Sequence, residues 1–481
     1  MVESTLSLAS ITPALPEIYL GAVICLVLLV DVFGAAKFPS LGTTLSVLLL
    51  GLGSVLIAFH SLVPARTVLF DGLYVADPVA GFLKLAAFLA VALALYYSQA
   101  YRRRRGLRGG EYDVLALTAL LGICVLISAN NLLTVYLGVE LLSLSLYALV
   151  AFERDSGDAA EAAIKYFVLG AIASGALLYG MSMLYGLTGT LDLGKLATAA
   201  HDQASAGLLI GMAFVIVAVA FKFGAVPFHM WVPDVYQGAP TSVALFIASA
   251  PKLASFAFTY RLLSQGLAGM PQAWAQMLGV VAVLSLALGN VVAIAQTNLR
   301  RMLAYSTIAN VGFILLGFVT ASPDGYQAAL NYTVVYVLTT LGSFGAILLV
   351  STKGSELDQL EDYKGFVTRD PLMAVLLAAL MFSTAGVPPF VGFWAKLWII
   401  QSLVNAHLLW LAGFAVLVSV IGAYYYLRVI WFIFFEPPVE RARGEAGGAE
   451  RAVLGLNVLA LFALGVVPNV LLALCQRLLP G

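Results

Sequence analysis

Long apolar runs separated by short polar connections set the pattern of this chain. A helix needs about 20 apolar residues to cross the hydrocarbon core of a bilayer. Fourteen stretches have that character: 17–33, 41–63, 75–99, 112–129, 132–152, 162–187, 206–226, 241–263, 274–297, 302–320, 328–351, 371–403, 408–435 and 452–474. The pattern predicts an all-α polytopic membrane protein with about fourteen transmembrane helices. Only Asn130 and Asn131 part the fourth and fifth runs, and the twelfth is too long for one straight span. Residues 64–74 read as a loop.

An internal repeat runs through the pattern. AIKYFVLGAIASGALLYG, from Ala163, resembles ALNYTVVYVLTTLGSFGA, from Ala329. FKFGAVPFHMW, from Phe221, and AGVPPFVGFWAK, from Ala385, both join Gly, Val-Pro and aromatics inside a membrane segment. The copies lie five helices apart, and an odd offset inverts one relative to the other. Inverted repeats with interrupted helices are how many transport proteins build a site at the midplane. The expected layout is a three-helix segment at 1–110, five-helix repeats at 111–265 and 266–436, and a loop with one last helix at 437–481. The lysines of the two interrupted segments do not align with each other.

Composition supports a lipid solvent: 62% of residues are hydrophobic, and 10% are charged against about 25% in a soluble domain. Lys and Arg are retained on the cytoplasmic side of a membrane. Odd-numbered connections hold Lys37, Arg102 to Arg105, Arg108, Arg154, Arg300, Arg301, Lys353, Lys364, Arg369, Arg441, Arg443 and Arg451, whereas the other side holds only Arg66, Lys195, Arg261 and Arg477. Both termini are therefore expected in the periplasm of a bacterial inner membrane. The opening MVESTLSLAS has no basic residue before its apolar run, so the first helix is expected to be retained. Cys25, Cys124 and Cys475 lack metal or redox spacing and read as small core residues. No basic, aromatic-interleaved patch suits nucleic acid.

Ionisable residues inside these spans carry the chemistry, because each costs several kcal/mol to bury and is a functional candidate by default. Glu140 sits about ten residues into its helix, roughly 15 Å deep, where a short carboxylate needs a cation or a proton. Lys222 precedes Gly224 and Pro227, which should open the helix and admit water. Burial lowers a lysine's proton affinity and a nearby carboxylate raises it, so changing the Glu140–Lys222 separation would make the amine hold or release a proton. Lys252 lies midway along the next helix, directly after Pro251, and Lys396 follows Pro388-Pro389. Snorkelling is the rival account of Lys396. Lys165 begins a helix and either joins the path or reaches the headgroups. His229 either relays protons or hydrogen-bonds freed backbone. Lys84 and Asp77 read as a local pair, and Asp31 and His60 as structural residues near helix ends.

There is no phosphate-cradling loop, nucleotide fingerprint, haem-ligand pair or cysteine cluster. At this point the residues carry a resemblance. GEYDVLALTALLGICVLISANNLLTVYLGVELLSLSLYAL, VPFHMWVPDVYQGAPT and STAGVPPFVGFWAK resemble the antiporter-like subunits of complex I (respiratory NADH–quinone oxidoreductase) and of multisubunit cation/proton antiporters. The likeness covers the chain from about Ile11 to Leu474. PALPEIYLGAVICLVLLVDVFG and the length resemble the subunit N branch, and Lys396 falls where subunit M carries glutamate. An antiporter subunit can carry lysine there, so that alternative stays open. The resemblance implies a proton-translocating subunit with no redox site of its own, with FMN, iron–sulfur clusters and quinone held by partner subunits. It also implies subunits M and K as neighbours, and matches Glu140, Lys222, Lys252, Lys396 and His229 to the family's proton-path positions. The expected hand-off runs from Lys222 through Lys252 to Lys396.

Overall fold

The structure is a computed structural model that describes residues 11–34, 40–60, 66–107, 109–202, 205–352, 356–439 and 446–479. The helices are α1 (Leu15–Gly34), α2 (Leu41–His60), α3 (Pro78–Arg105), α4 (Glu111–Ile127), α5 (Leu132–Val150), α6 (Gly157–Thr188), α7 (Leu193–Asp202), α8 (Ala206–Phe223), α9 (Trp231–Gly238) and α10 (Thr241–Ala248). They continue with α11 (Ala250–Thr259), α12 (Pro271–Ile294), α13 (Leu299–Val319), α14 (Pro323–Val350), α15 (Phe366–Arg369), α16 (Pro371–Ala385), α17 (Val391–Asn405), α18 (Leu409–Phe434), α19 (Gly448–Val466) and α20 (Asn469–Leu478). Among the described residues, twelve helical segments are long and apolar enough to cross a membrane.

Every predicted run finds helix, with two refinements. The eighth span is built from α10, α11 and a π-helical turn, Tyr260–Gly266, and it is wholly buried at the centre with α13 and α14. The run at 452–474 is two helices, α19 and α20, broken where Pro468 cannot continue the ladder. The stretch read as a loop contains a hairpin, β1 (Thr67–Leu69) paired antiparallel with β2 (Tyr74–Ala76). Its turn uses positive φ at Phe70, Asp71 and Gly72, a left-handed signal that the apolar count does not register. Part of the charge count (Lys37, Arg108, Lys353, Arg441 and Arg443), residues 1–10 and the His60 side chain lie outside the described residues.

The internal repeat has a backbone signature at two helix starts. Asn131 caps α5 and bridges to Asp192, with Leu132 N donating to Leu191 O at 2.9 Å. Asn298 caps α13 and bridges to Gln359, with Leu299 N donating to Asp358 O at 2.6 Å. The return bonds also match, from Leu193 N to Asn130 O and from Leu360 N to Thr297 O. In each case the partner strand is the loop that follows the next long helix.

Buried ion pairs tie the N-terminal helices to this frame. Lys84 and Asp77, expected to pair with each other, do not. Lys84 Nζ meets Glu17 at 2.6 Å and donates to Tyr74 Oη at 2.7 Å. Burial pushes the Tyr74 phenol up to about 12 even with Lys84 beside it. Asp77 caps α3 and grips Arg261 at 2.6 and 2.9 Å. Arg261, counted above with the connections of the sparsely basic side, is 1% exposed and lies in the π-helical turn. Spacing along one helix put Asp77 and Lys84 on a common face; partners on other helices decided the pairing. Cys124 and Cys475 are buried, as expected of core residues, while Cys25 is exposed on α1.

Candidate functional site

Two helices break inside the membrane frame, and each break leaves carbonyls without a helical donor. The first follows α8, where Gly224 turns left-handed at φ 77 before a cis Val226–Pro227 bond. The second follows α16, where Gly386 does the same at φ 84 before a cis Pro388–Pro389 bond. Glycine is required at both: a Cβ on Gly224 would run into the Val232 side chain, and one on Gly386 would meet the Lys396 chain at 3.0 Å.

A backbone donor within the break and side chains from other elements satisfy the first break. Ala225 N donates to Ala220 O, Trp231 Nε1 to Phe221 O at 3.1 Å, and Ser255 Oγ to Lys222 O at 3.3 Å. Lys252 Nζ donates to Phe223 O at 2.8 Å. At the second break Lys396 Nζ donates to Ala385 O at 2.9 Å. Thus Lys252 and Lys396 make the same contact, each with the last carbonyl before a left-handed glycine. A helix C-terminus carries partial negative charge, so both ammoniums sit where the backbone favours a cation. This explains why the lysines of the interrupted segments fail to align: the lysine that matches Lys396 by contact comes from the next helix.

Lys222, expected beside the unwound backbone, turns away from it and donates to Ser143 Oγ, which in turn bonds Val139 O. Ser143 stands one turn after Glu140 on α5. Among the described residues no direct ion pair joins Glu140 to Lys222, but the two groups interact electrostatically across that turn. Glu140 is half-buried, and its Oε1 is buried without a hydrogen-bond partner among the described residues. Lys222 and Lys252 line one small cavity of about 20 Å³ with Leu142, Tyr166, Trp231 and Ser255. That is room for a water molecule between two amines. Lys396 lines a second cavity of about 30 Å³ with Ser306, Thr307, Asn310, Tyr332 and Tyr336.

The remaining candidates lie apart. Lys165 is half-exposed and pairs with Glu161 at 2.7 Å and Asp234 at 2.8 Å, while Arg301 shares Asp234 at 2.9 Å. His229 is half-buried within the first break and does not line either lysine cavity. Sequence reasoning missed the neutral groups: Ser143, Ser255, Thr307, Asn310 and the tyrosines look like ordinary helix residues. Only their hydroxyl and amide groups falling beside the amines sets them apart. Among the described residues no three His, Cys, Asp or Glu side chains come together as metal ligands do.

Comparison with known proteins gives a consistent likeness. A family described as NADH:quinone oxidoreductase/Mrp antiporter, transmembrane, matches residues 129–422. NADH-quinone oxidoreductase subunit N of Thiobacillus denitrificans is 50% identical over 476 residues, which covers 98% of each chain. A chain of respiratory complex I from Thermus thermophilus superposes with a TM-score of 0.81 at 31% identity, covering 95% of this chain and 98% of that one. A chain of the Mrp complex from Dietzia sp. DQ12-45-1b reaches 0.85 at 22% identity over 97% and 96% of the two chains, a likeness of fold alone.

Proposed function

The chain belongs to the NADH:quinone oxidoreductase/Mrp antiporter family, in its subunit N branch, and from that premise we propose that it translocates protons as a membrane subunit of NADH–quinone oxidoreductase. Redox chemistry in other subunits drives the movement, and FMN, iron–sulfur clusters and quinone reside in those partners. Residues 111–265 and 266–436 act as two inverted units around the two breaks. Subunits M and K flank the chain in the inner membrane, and both termini face the periplasm.

The observation that carries this reading is the placement of Lys252 and Lys396 on the freed carbonyls of two broken helices, with Lys222 sharing the Lys252 cavity. An insertion cost of about 2.5–3.5 kcal/mol for each charge at mid-membrane makes three such lysines expensive as mere scaffold. Their amines touch a backbone carbonyl (Lys252, Lys396) or a hydroxyl (Lys222) and line water-sized cavities, which lets each one exchange a proton. Lys222 takes a proton from the cytoplasmic side while Glu140 supports the ammonium. When the charge around Glu140 changes, the proton passes to Lys252 and on to Lys396, which releases it to the periplasm. The partly exposed side chain of Glu140 suits a cation on a neighbouring subunit. Lys165 belongs to a surface ion-pair cluster near the basic helix ends, and His229 to the support of the break.

Lys222→Ala tests the assignment in the assembled complex in sealed vesicles. Electron transfer from NADH to quinone should persist while protons moved per electron fall. Pumping at the wild-type ratio would refute the role of Lys222.

A further inference from the structure

The two halves of the molecule differ at matched positions, and the difference lies on the path between the cavities. Counted from the capping residues Asn131 and Asn298, Glu140 and Thr307 both stand nine residues on. Ser143 and Asn310 both stand twelve on. At the breaks, Lys222 and Thr384 both stand two residues before the left-handed glycine. The second half therefore carries Thr307, Asn310 and Thr384 where the first carries Glu140, Ser143 and Lys222. All three neutral residues line the Lys396 cavity.

Hydroxyl groups extend from there toward Lys252. Tyr336 Oη donates to Thr307 Oγ1 at 2.8 Å. Tyr236 Oη lies beside both of them, buried and within weak hydrogen-bonding reach of Thr307 and Tyr336, but forms no bond of good geometry among the described residues. Buried polar groups nearly always have a partner, protein or water, so this hydroxyl is placed to take a water. Tyr166 lines the Lys222–Lys252 cavity and stacks, with ring centroids 4.4 Å apart, on Trp231, the first residue of the short helix α9 that carries Tyr236.

We propose that Tyr166, Tyr236, Tyr336 and Thr307 form a neutral hydroxyl relay that carries protons from the Lys252 cavity to the Lys396 cavity. The relay rests on the reading that these lysines hold the translocated proton. In one transfer the Lys252 ammonium gives a proton to the neighbouring water or hydroxyl oxygen and becomes an amine. Each relay oxygen accepts one proton and passes on the one it held, and Lys396 ends as the ammonium. Only N–H and O–H bonds break and form, each hydroxyl ends as it began, and no oxidant or reductant takes part. A carboxylate at position 307 would hold a cation between the cavities. A hydroxyl conducts without storing charge, so the proton rests only on the lysines.

Tyr236→Phe is the sharpest variant, because the hydroxyl it removes makes no well-formed hydrogen bond among the described residues, so the packing should survive its loss. Thr307→Val and Tyr336→Phe test the next link at nearly constant volume. In the assembled complex in proteoliposomes, each should lower protons moved per electron to the level of Lys252→Ala, with NADH–quinone electron transfer and complex yield kept. Wild-type stoichiometry in Tyr236→Phe, alongside a loss in Lys252→Ala, overturns the relay and leaves the lysine reading standing. Wild-type stoichiometry in Lys252→Ala overturns the lysine reading and the relay together.

Discussion

A buried lysine is expensive in lipid, and the nature of its contacts decides what it can do. Lys84 sits against the Glu17 carboxylate and is held by a full opposite charge, which fixes its proton. Lys252 and Lys396 meet a carbonyl dipole, a small cavity and an aromatic face (Trp231 and Phe313 respectively), with no ion pair among the described residues. A dipole offers a fraction of that support, so these amines are free to change state. Gly386 makes the second contact possible, because a side chain at φ 84 is strained by about 1–2 kcal/mol and its Cβ would press on Lys396. Gly386→Ala should therefore lower proton movement per electron more than it lowers the yield of assembled complex. Both can be read from one preparation, and equal losses would point to a folding role alone. The four main ionisable candidates were legible in the sequence because a charge in an apolar run is conspicuous. Their partners were not. Nothing in the spacing tells that Lys222 turns to Ser143, or that Lys252 takes the carbonyl freed next to Lys222.

Helix breaks and a π-helical turn give the elements their function. Gly and Pro in FKFGAVPFHMW and AGVPPFVGFWAK announced both interruptions, since Pro removes a donor and Gly removes stiffness. The turn at Tyr260–Gly266 has no such signal; tertiary contacts impose it. Its Arg261 reaches Asp77 with two hydrogen bonds, Gln265 at 3.1 Å and Ile127 O at 3.1 Å. This clamp fixes the end of the span that carries Lys252 against the N-terminal helices. Breaking a buried pair leaves an uncompensated charge and costs about 3–5 kcal/mol. Losing the α3 cap adds about 1 kcal/mol more. Asp77→Ala should melt well below the wild-type complex, with Asp77→Asn between them because its oxygen keeps the cap. A wild-type melting temperature for Asp77→Ala would show that the clamp contributes nothing.

Across the whole molecule, an inverted frame holds two unlike sites. The backbone bridges that tie the helix starts at Asn131 and Asn298 to their loops repeat bond for bond, yet Glu140 and Lys222 are replaced by Thr307 and Thr384 at the matched positions. The repeat was faint in sequence because lipid-facing positions accept any apolar residue, so only the caps and breaks hold their chemistry. Such asymmetry suits a path with a loading half and a releasing half. Glu140 governs the loading half in this account, and its influence on the Lys222 proton can be observed directly. Infrared difference spectra of the complex carrying nitrogen-15 lysine, recorded as NADH reduces it, read ammonium and amine separately. The account predicts a lysine band that changes on reduction, is missing in Lys222→Ala, and is shifted or lost in Glu140→Gln. The same band, unchanged in both variants while protons are still pumped, would contradict it.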